Sequence, residues 1–217
     1  MIDVWAWMKQ LSEGLHREFP GRVWFLGLQG SFGRGEAREG SDIDPVVILE
    51  RLTAEDAEAY RALLDTLPHR ELACGFLAGR EELEHWPPAD FFSLCHDTTP
   101  LEGSLDSLAH RAGRDAGREA AHMGAANLYH ACLHNLLHAR KESTVRGLYK
   151  QAAFTLQAVY FVRTGTFVRR QEELLPLLEP AEREILSLSL GLRAGEPVEV
   201  VPMSHLLLEW TKGLFEG

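Results

Sequence analysis

The chain has 217 residues, of which 45% are hydrophobic and 25% charged, with a net charge of −10. That apolar content supports a substantial core in one large domain or two small ones. The acidic balance argues against a polynucleotide-binding surface, which would be basic, and suits a cationic small-molecule partner.

Three scattered cysteines, Cys74, Cys95 and Cys132, have no Cys-x-x-Cys spacing and suggest neither a disulfide framework nor a structural zinc. No basic stretch followed by an apolar run opens the sequence, and no apolar run approaches the roughly 20 residues that cross a bilayer. A soluble, cytoplasmic protein without membrane contacts is expected.

Trp5, Met8, Leu11 and Leu15 recur at helical spacing and predict a helix over 2–18, ended by Pro20-Gly21. Residues 23–28 read as a buried strand, and 30–35 as a turn entering a short helix. Residues 45–49 read as a second buried strand, with Pro45 at its first position, where a missing N–H matters least. Thr53 is a candidate N-cap for a helix to about Thr66, with Glu55 and Asp56 in its first turn and Pro68 beyond it. Residues 71–77 are a third strand candidate and 81–86 a short helix before Pro87-Pro88. Residues 91–95 are apolar and fit a strand or a helix equally. The Gly- and Asp-containing span 103–117 reads as a passage between two halves.

From about residue 114 the pattern is helical throughout, with helices over 118–140, 144–163, 171–178, 180–190 and 203–214. Thr164-Gly165 ends the second of these, glycine being favoured just past a helix C-terminus. The fold class expected is α+β: a small mixed sheet with flanking helices over 1–113, followed by a helical bundle over 114–217.

The chemistry concentrates in residues 30–44. Gly30 allows close backbone approach to an anion, Ser31 adds a hydroxyl donor, and the start of a helix adds a positive end. Asp42 and Asp44 follow at the mouth of the second strand. Strand side chains alternate, so both carboxylates project from one face and can hold divalent cations together. Magnesium suits such a place, because it takes oxygen ligands and shares them with substrate phosphates. Arg34 and Ser41 lie in the same stretch and are further candidates for nucleotide contact. A phosphate-cradling turn beside a carboxylate pair is what metal-assisted nucleotidyl transfer uses.

Gly30-Ser31, ten intervening residues and Asp42-Ile43-Asp44, set between two apolar strands, resemble the signature of the polymerase-beta-like nucleotidyltransferase superfamily. The resemblance implies a nucleotidyltransferase domain that uses Mg2+, two ions in the general scheme, with ATP as substrate. Superfamily members carry a third carboxylate on a later strand, and Glu71 is the candidate here. The stretch from Glu71 to Trp86-Pro87-Pro88 is similar to the streptomycin/spectinomycin adenylyltransferase group, in which that glutamate takes the proton from the acceptor hydroxyl. Residues 160–170 are similar to the same group, whose Thr-Gly helix end precedes a cation on the nucleotide phosphates. Arg170 falls at about that place, where the group has lysine. Arg146 and Lys150, one helical turn apart, are candidates for the same cationic wall.

His130, His134 and His138 form a stripe at i, i+4 and i+8. No Glu follows the first as in His-Glu-x-x-His, so a zinc-protease reading fails, and a polar face lining a cleft fits better. The helical half also resembles the bundles paired with minimal nucleotidyltransferases in toxin–antitoxin modules. Arg118 and His122, however, are spaced too closely for the ribonuclease motif of that group. The leading expectation is transfer of AMP from Mg-ATP to a hydroxyl of a small cationic acceptor of aminoglycoside type. An enzyme attaching AMP to a protein, and a nucleotide-binding module without turnover, are the alternatives.

Overall fold

Asp3 starts the first helix by accepting a hydrogen bond from the Ala6 N–H at 3.0 Å. Helix α1 (Val4–Glu18) then buries Val4, Trp7, Met8, Leu11 and Leu15 in one stripe. Trp5, expected in that stripe, is 52% exposed. Six residues before Leu11, it sits roughly 120° off the buried face at 3.6 residues per turn. Trp7 takes the interior place instead, and its indole N–H donates to the Pro68 carbonyl at 2.7 Å.

The structure is a computed structural model and describes residues 2–215. The chain divides into two compact units. One runs to Pro87 and resumes over Leu94–His110; the other takes Pro88–Ser93 and everything from Arg111 onward.

The first unit is built on a four-stranded mixed sheet in the order β3-β2-β1-β4. Its strands are β1 (Val23–Gln29), β2 (Asp44–Leu49), β3 (Phe76–Gly79) and β4 (Thr99–Glu102). Strand β1 runs antiparallel to both β2 and β4, and β2 runs parallel to β3. Leu26, Leu28, Ile43, Val47 and Leu49 face α1 and α3 (Ala54–Leu64), where Tyr60 and Leu64 close the core. Thr53 and Asp56 form a reciprocal capping box at the start of α3, a device that contributes about 1 kcal/mol.

Two local expectations change, and one reading left open is decided. The third strand begins at Phe76, not residue 71, because residues Arg70–Leu72 form a single 3-10 turn. The ladder still reaches back to one parallel bridge between Ile43 and Ala73. Residues 91–95 are helical, within α5 (Pro88–Asp97), which carries proline in its first turn. Strand β4 was not foreseen: Pro100 argues against a strand but is tolerated on a sheet edge, which is where β4 lies. Two short helices, α2 (Gly30–Arg34) and α4 (Arg80–Glu84), complete this unit's labelled helices.

The second unit carries α6 (Arg114–His134), α7 (Glu142–Thr164), α8 (Gln171–Leu174), α9 (Pro180–Arg193) and α10 (Val200–Phe215). Leu128, Cys132, Tyr149, Leu156, Ile185, Leu186 and Leu207 are at the centre of its core. Gly165 ends α7 at φ +78°, a left-handed conformation that glycine adopts without steric cost. The span 171–178 breaks into α8 and a 3-10 turn, Leu175–Leu177, around Pro176. Among the described residues no helix is long and apolar enough to cross a membrane.

Candidate functional site

The alternation of β2 decides where its two carboxylates go. Ile43, Val47 and Leu49 pack toward α1 and α3, so Asp42 and Asp44, of opposite parity, project from the other face with Val46 and Ile48. Asp44 pairs in register with Gln29 at the end of β1, which brings it beside the turn that begins at Gly30. Its carboxylate lies directly on the Gly30 α-carbon, where a Cβ would overlap Oδ2. Gly30 also has φ +72°, so both space and backbone conformation require glycine there. Asp42 is exposed, and among the described residues its carboxylate has no hydrogen-bond or ion-pair partner.

Helix α2 is a single turn that begins at Gly30 itself and is capped by left-handed Gly35. A helix end this short adds little field, so anion binding rests on local donors. The Ser31 hydroxyl is partly accessible and has no protein partner among the described residues. The Ser31 carbonyl accepts from the Glu36 N–H at 2.8 Å, which folds the loop back on itself.

Two candidates in this stretch have structural partners. Ser41 closes the 38–41 turn, its Oγ accepting from the Arg38 N–H at 2.8 Å. Arg34 is not presented to a ligand. Its side chain is 5% exposed and pairs with Glu36 at 2.9 Å and Asp97 at 2.5 Å. Asp97 and Thr99, two residues beyond it, hold this turn from 63 to 67 residues away in sequence. Nothing local to residues 30–44 announces them.

Glu71 sits on the 3-10 turn, 73% exposed, with His69 Nδ1 at 3.9 Å. The backbone beside it runs along the Asp42 strand entrance: Ile43 N–H donates to the Leu72 carbonyl at 2.7 Å, and Cys74 N–H to the Ile43 carbonyl at 2.8 Å. Among the described residues no three His, Cys, Asp or Glu side chains gather as a metal site. Asp42 and Asp44 could hold a magnesium ion, which takes one or two carboxylates when phosphate oxygens and waters complete its octahedron.

In the second unit, Arg170 caps α8 and pairs with Glu173 at 3.2 Å and Glu172 at 3.7 Å. Its chain segment is pinned by Gln157, whose amide donates to the Val168 and Arg169 carbonyls, both at 2.8 Å. Arg146 is not part of a cationic wall. It donates to the Leu192 and Glu196 carbonyls, both at 2.8 Å, and so ties α7 to the end of α9. Lys150 is exposed. His130, His134 and His138 line an exposed face, with ring centroids 6.4 and 4.8 Å apart in succession. Arg118 is a surface residue paired with Asp115 at 2.9 Å.

Residues 8–85 match the nucleotidyltransferase domain family. No curated protein matches the sequence. Among solved structures, the chain is similar to spectinomycin adenyltransferase AAD(9) from Enterococcus faecialis, crystallised with ATP and spectinomycin. The TM-score is 0.63 at 12% identity, over 98% of this chain and 99% of that one. At that identity the likeness is one of fold. The glycine-serine turn and the aspartate pair both lie inside residues 8–85, the segment that matches as a nucleotidyltransferase domain, and the fold of the chain is similar to that of the spectinomycin adenyltransferase.

Proposed function

We propose that the enzyme transfers AMP from Mg-ATP to a hydroxyl of a small cationic acceptor of the aminoglycoside class. The observation that carries this reading is the seating of the Asp44 carboxylate on Gly30, with an exposed Asp42 two residues before Asp44 and Ser31 next to Gly30 in the chain. Oxygen donors adjoining a turn open to phosphate fit the magnesium complex of a triphosphate better than any softer metal. The acceptor class is supported by the adenylyltransferase fold, by the spectinomycin bound in the related structure and by the net charge of −10.

In this scheme Asp42 and Asp44 hold Mg2+, which when bound neutralises charge on the phosphates and polarises the α-phosphorus. Gly30 leaves the Asp44 carboxylate room against the turn, and Ser31 donates its hydroxyl to a phosphate oxygen. Glu71 takes the proton of the acceptor hydroxyl as its oxygen forms the new bond to the α-phosphorus. The bond from that phosphorus to the bridging oxygen breaks, and pyrophosphate leaves with the electron pair. The exposure of Glu71 supports this role, since a base must reach a hydroxyl arriving from solvent.

The test is a panel assay. The protein is incubated with Mg-ATP and each of spectinomycin, streptomycin and other aminoglycosides, and pyrophosphate release and adenylylated product are measured. Product with one panel member supports the proposal. Transfer only to a co-expressed protein, or ATP binding without transfer, would replace it.

A further inference from the structure

The segment that ends α5 and opens β4 grips the turn Gly30–Arg34 at three points. The Asp97 carboxylate accepts from the Gly30 N–H at 3.4 Å and from Arg34 Nη1 at 2.5 Å. The Thr99 hydroxyl donates to the Gly33 carbonyl at 3.1 Å. Between them Thr98 is buried, its methyl group occupying the space a side chain at Gly27 of β1 would need. Arg34 continues the chain of contacts to Glu36 at 2.9 Å, beyond the turn. The Arg34 and Asp97 side chains are only 5% and 8% exposed, so the pair is closed to solvent.

A turn built this way needs outside support. It contains Gly30 and Gly33 and is followed at once by Gly35, with Gly30 and Gly35 both at positive φ. Glycines lose more conformational freedom on ordering than any other residue. A phosphate ligand that had to order the loop itself would bind more weakly by that amount. Contacts at Gly30, Gly33 and Arg34 from a separate segment order the backbone before any ligand arrives. The charge of Asp97 is taken up by Arg34, which separates its role from those of Asp42 and Asp44.

We infer that Asp97 and Thr99 are positioning residues for the nucleotide: from behind the glycine-serine turn they fix its backbone in advance of triphosphate binding. The inference rests on the nucleotidyl-transfer reading for its consequence, though not for its geometry.

Asp97→Asn removes the charge that holds Arg34, Thr99→Val removes the hydroxyl at constant shape, and Thr99→Ser keeps it. Two properties are measured: amide hydrogen exchange over residues 28–36 in nucleotide-free protein, and the kinetics of Mg-ATP use. Asp97→Asn and Thr99→Val should speed exchange in that segment relative to the rest of the unit. They should raise KM for Mg-ATP about tenfold with kcat changed less than about twofold, the pattern of lost ground-state binding. Thr99→Ser should restore both. Wild-type exchange and KM in the first two variants would overturn the inference, as would exchange rising equally across the whole unit. The exchange arm needs no nucleotide. A wild-type protein that ignores Mg-ATP therefore overturns the functional reading and leaves the strut to be decided by exchange alone.

Discussion

The Asp44 carboxylate and the Gly30 α-carbon are in direct contact, with no room for a side chain between them. Substituting Gly30 by alanine must displace one of them. It also forces a left-handed φ on a residue with a Cβ, at a cost of about 1–2 kcal/mol. Gly30→Ala should therefore stay folded, by circular dichroism, while its affinity for Mg-ATP falls at least about tenfold in a calorimetric titration. Unchanged affinity would detach the turn from the nucleotide.

Asp42 separates catalytic from structural effects most cleanly, because it is exposed and pairs with nothing among the described residues. Asp42→Asn should leave the melting temperature unchanged and reduce transfer by about a hundredfold or more, at least the loss seen when groups that merely orient metal ligands are removed. Asp44→Asn should do the same to transfer. Magnesium titrations of each variant at fixed ATP check the assignment, which a wild-type magnesium dependence would remove.

Glu71→Gln should behave differently. A base that acts on the acceptor contributes typically about 10²–10⁴-fold to turnover and nothing to Mg-ATP binding. A fall in kcat of that order at unchanged nucleotide affinity is the expected result. Wild-type kcat would transfer the proton to solvent or to another group.

The legibility of these parts follows their distance along the chain. Gly30, Ser31, Asp42 and Asp44 are visible in the sequence because a turn and a strand entrance are local devices with fixed spacing. The capping of α3 by Thr53 was visible for the same reason. Arg34 reads as a candidate nucleotide contact in the sequence because its partner Asp97 lies 63 residues away, and only the sheet brings the two together. Strand β4 was hidden by Pro100, whose lack of an N–H matters in a central strand and little on an edge. Glu71 was drawn into a strand by the apolar run that follows it, whereas the ladder with β2 takes up regular pairing only at Phe76.

Arg146 illustrates a cation whose role is packing. Its guanidinium satisfies two carbonyls past the end of α9, so Arg146→Met should lower unfolding stability by about 1–3 kcal/mol and leave Mg-ATP affinity at the wild-type value. Urea unfolding and a nucleotide titration on the same sample check both halves. A loss of affinity at unchanged stability would return Arg146 to the nucleotide.

Arg22 and Asp56 give the first unit an acid-sensitive clasp. The guanidinium donates to both carboxylate oxygens, at 2.9 and 2.6 Å, and to the Arg51 carbonyl at 2.8 Å. The Arg22 hydrogen bonds, helped by Thr53 and opposed by partial burial, hold the Asp56 carboxyl down to about 2. In the unfolded chain an aspartate titrates near 3.9. A carboxyl depressed by folding binds fewer protons in the native state, so the stabilisation it provides is complete above the unfolded value. It is lost as pH falls from about 4 toward 2. Arg22→Gln removes the clasp and lets Asp56 return toward its ordinary range. The variant should thus be less stable than wild type at pH 7, and the gap should narrow below about pH 4 and close near pH 2. Urea unfolding at pH 7, 5 and 3, with an NMR titration of the Asp56 carboxyl in both proteins, measures the effect. Two stability curves that stay parallel from pH 7 to pH 3 would show that the pair contributes packing and not charge.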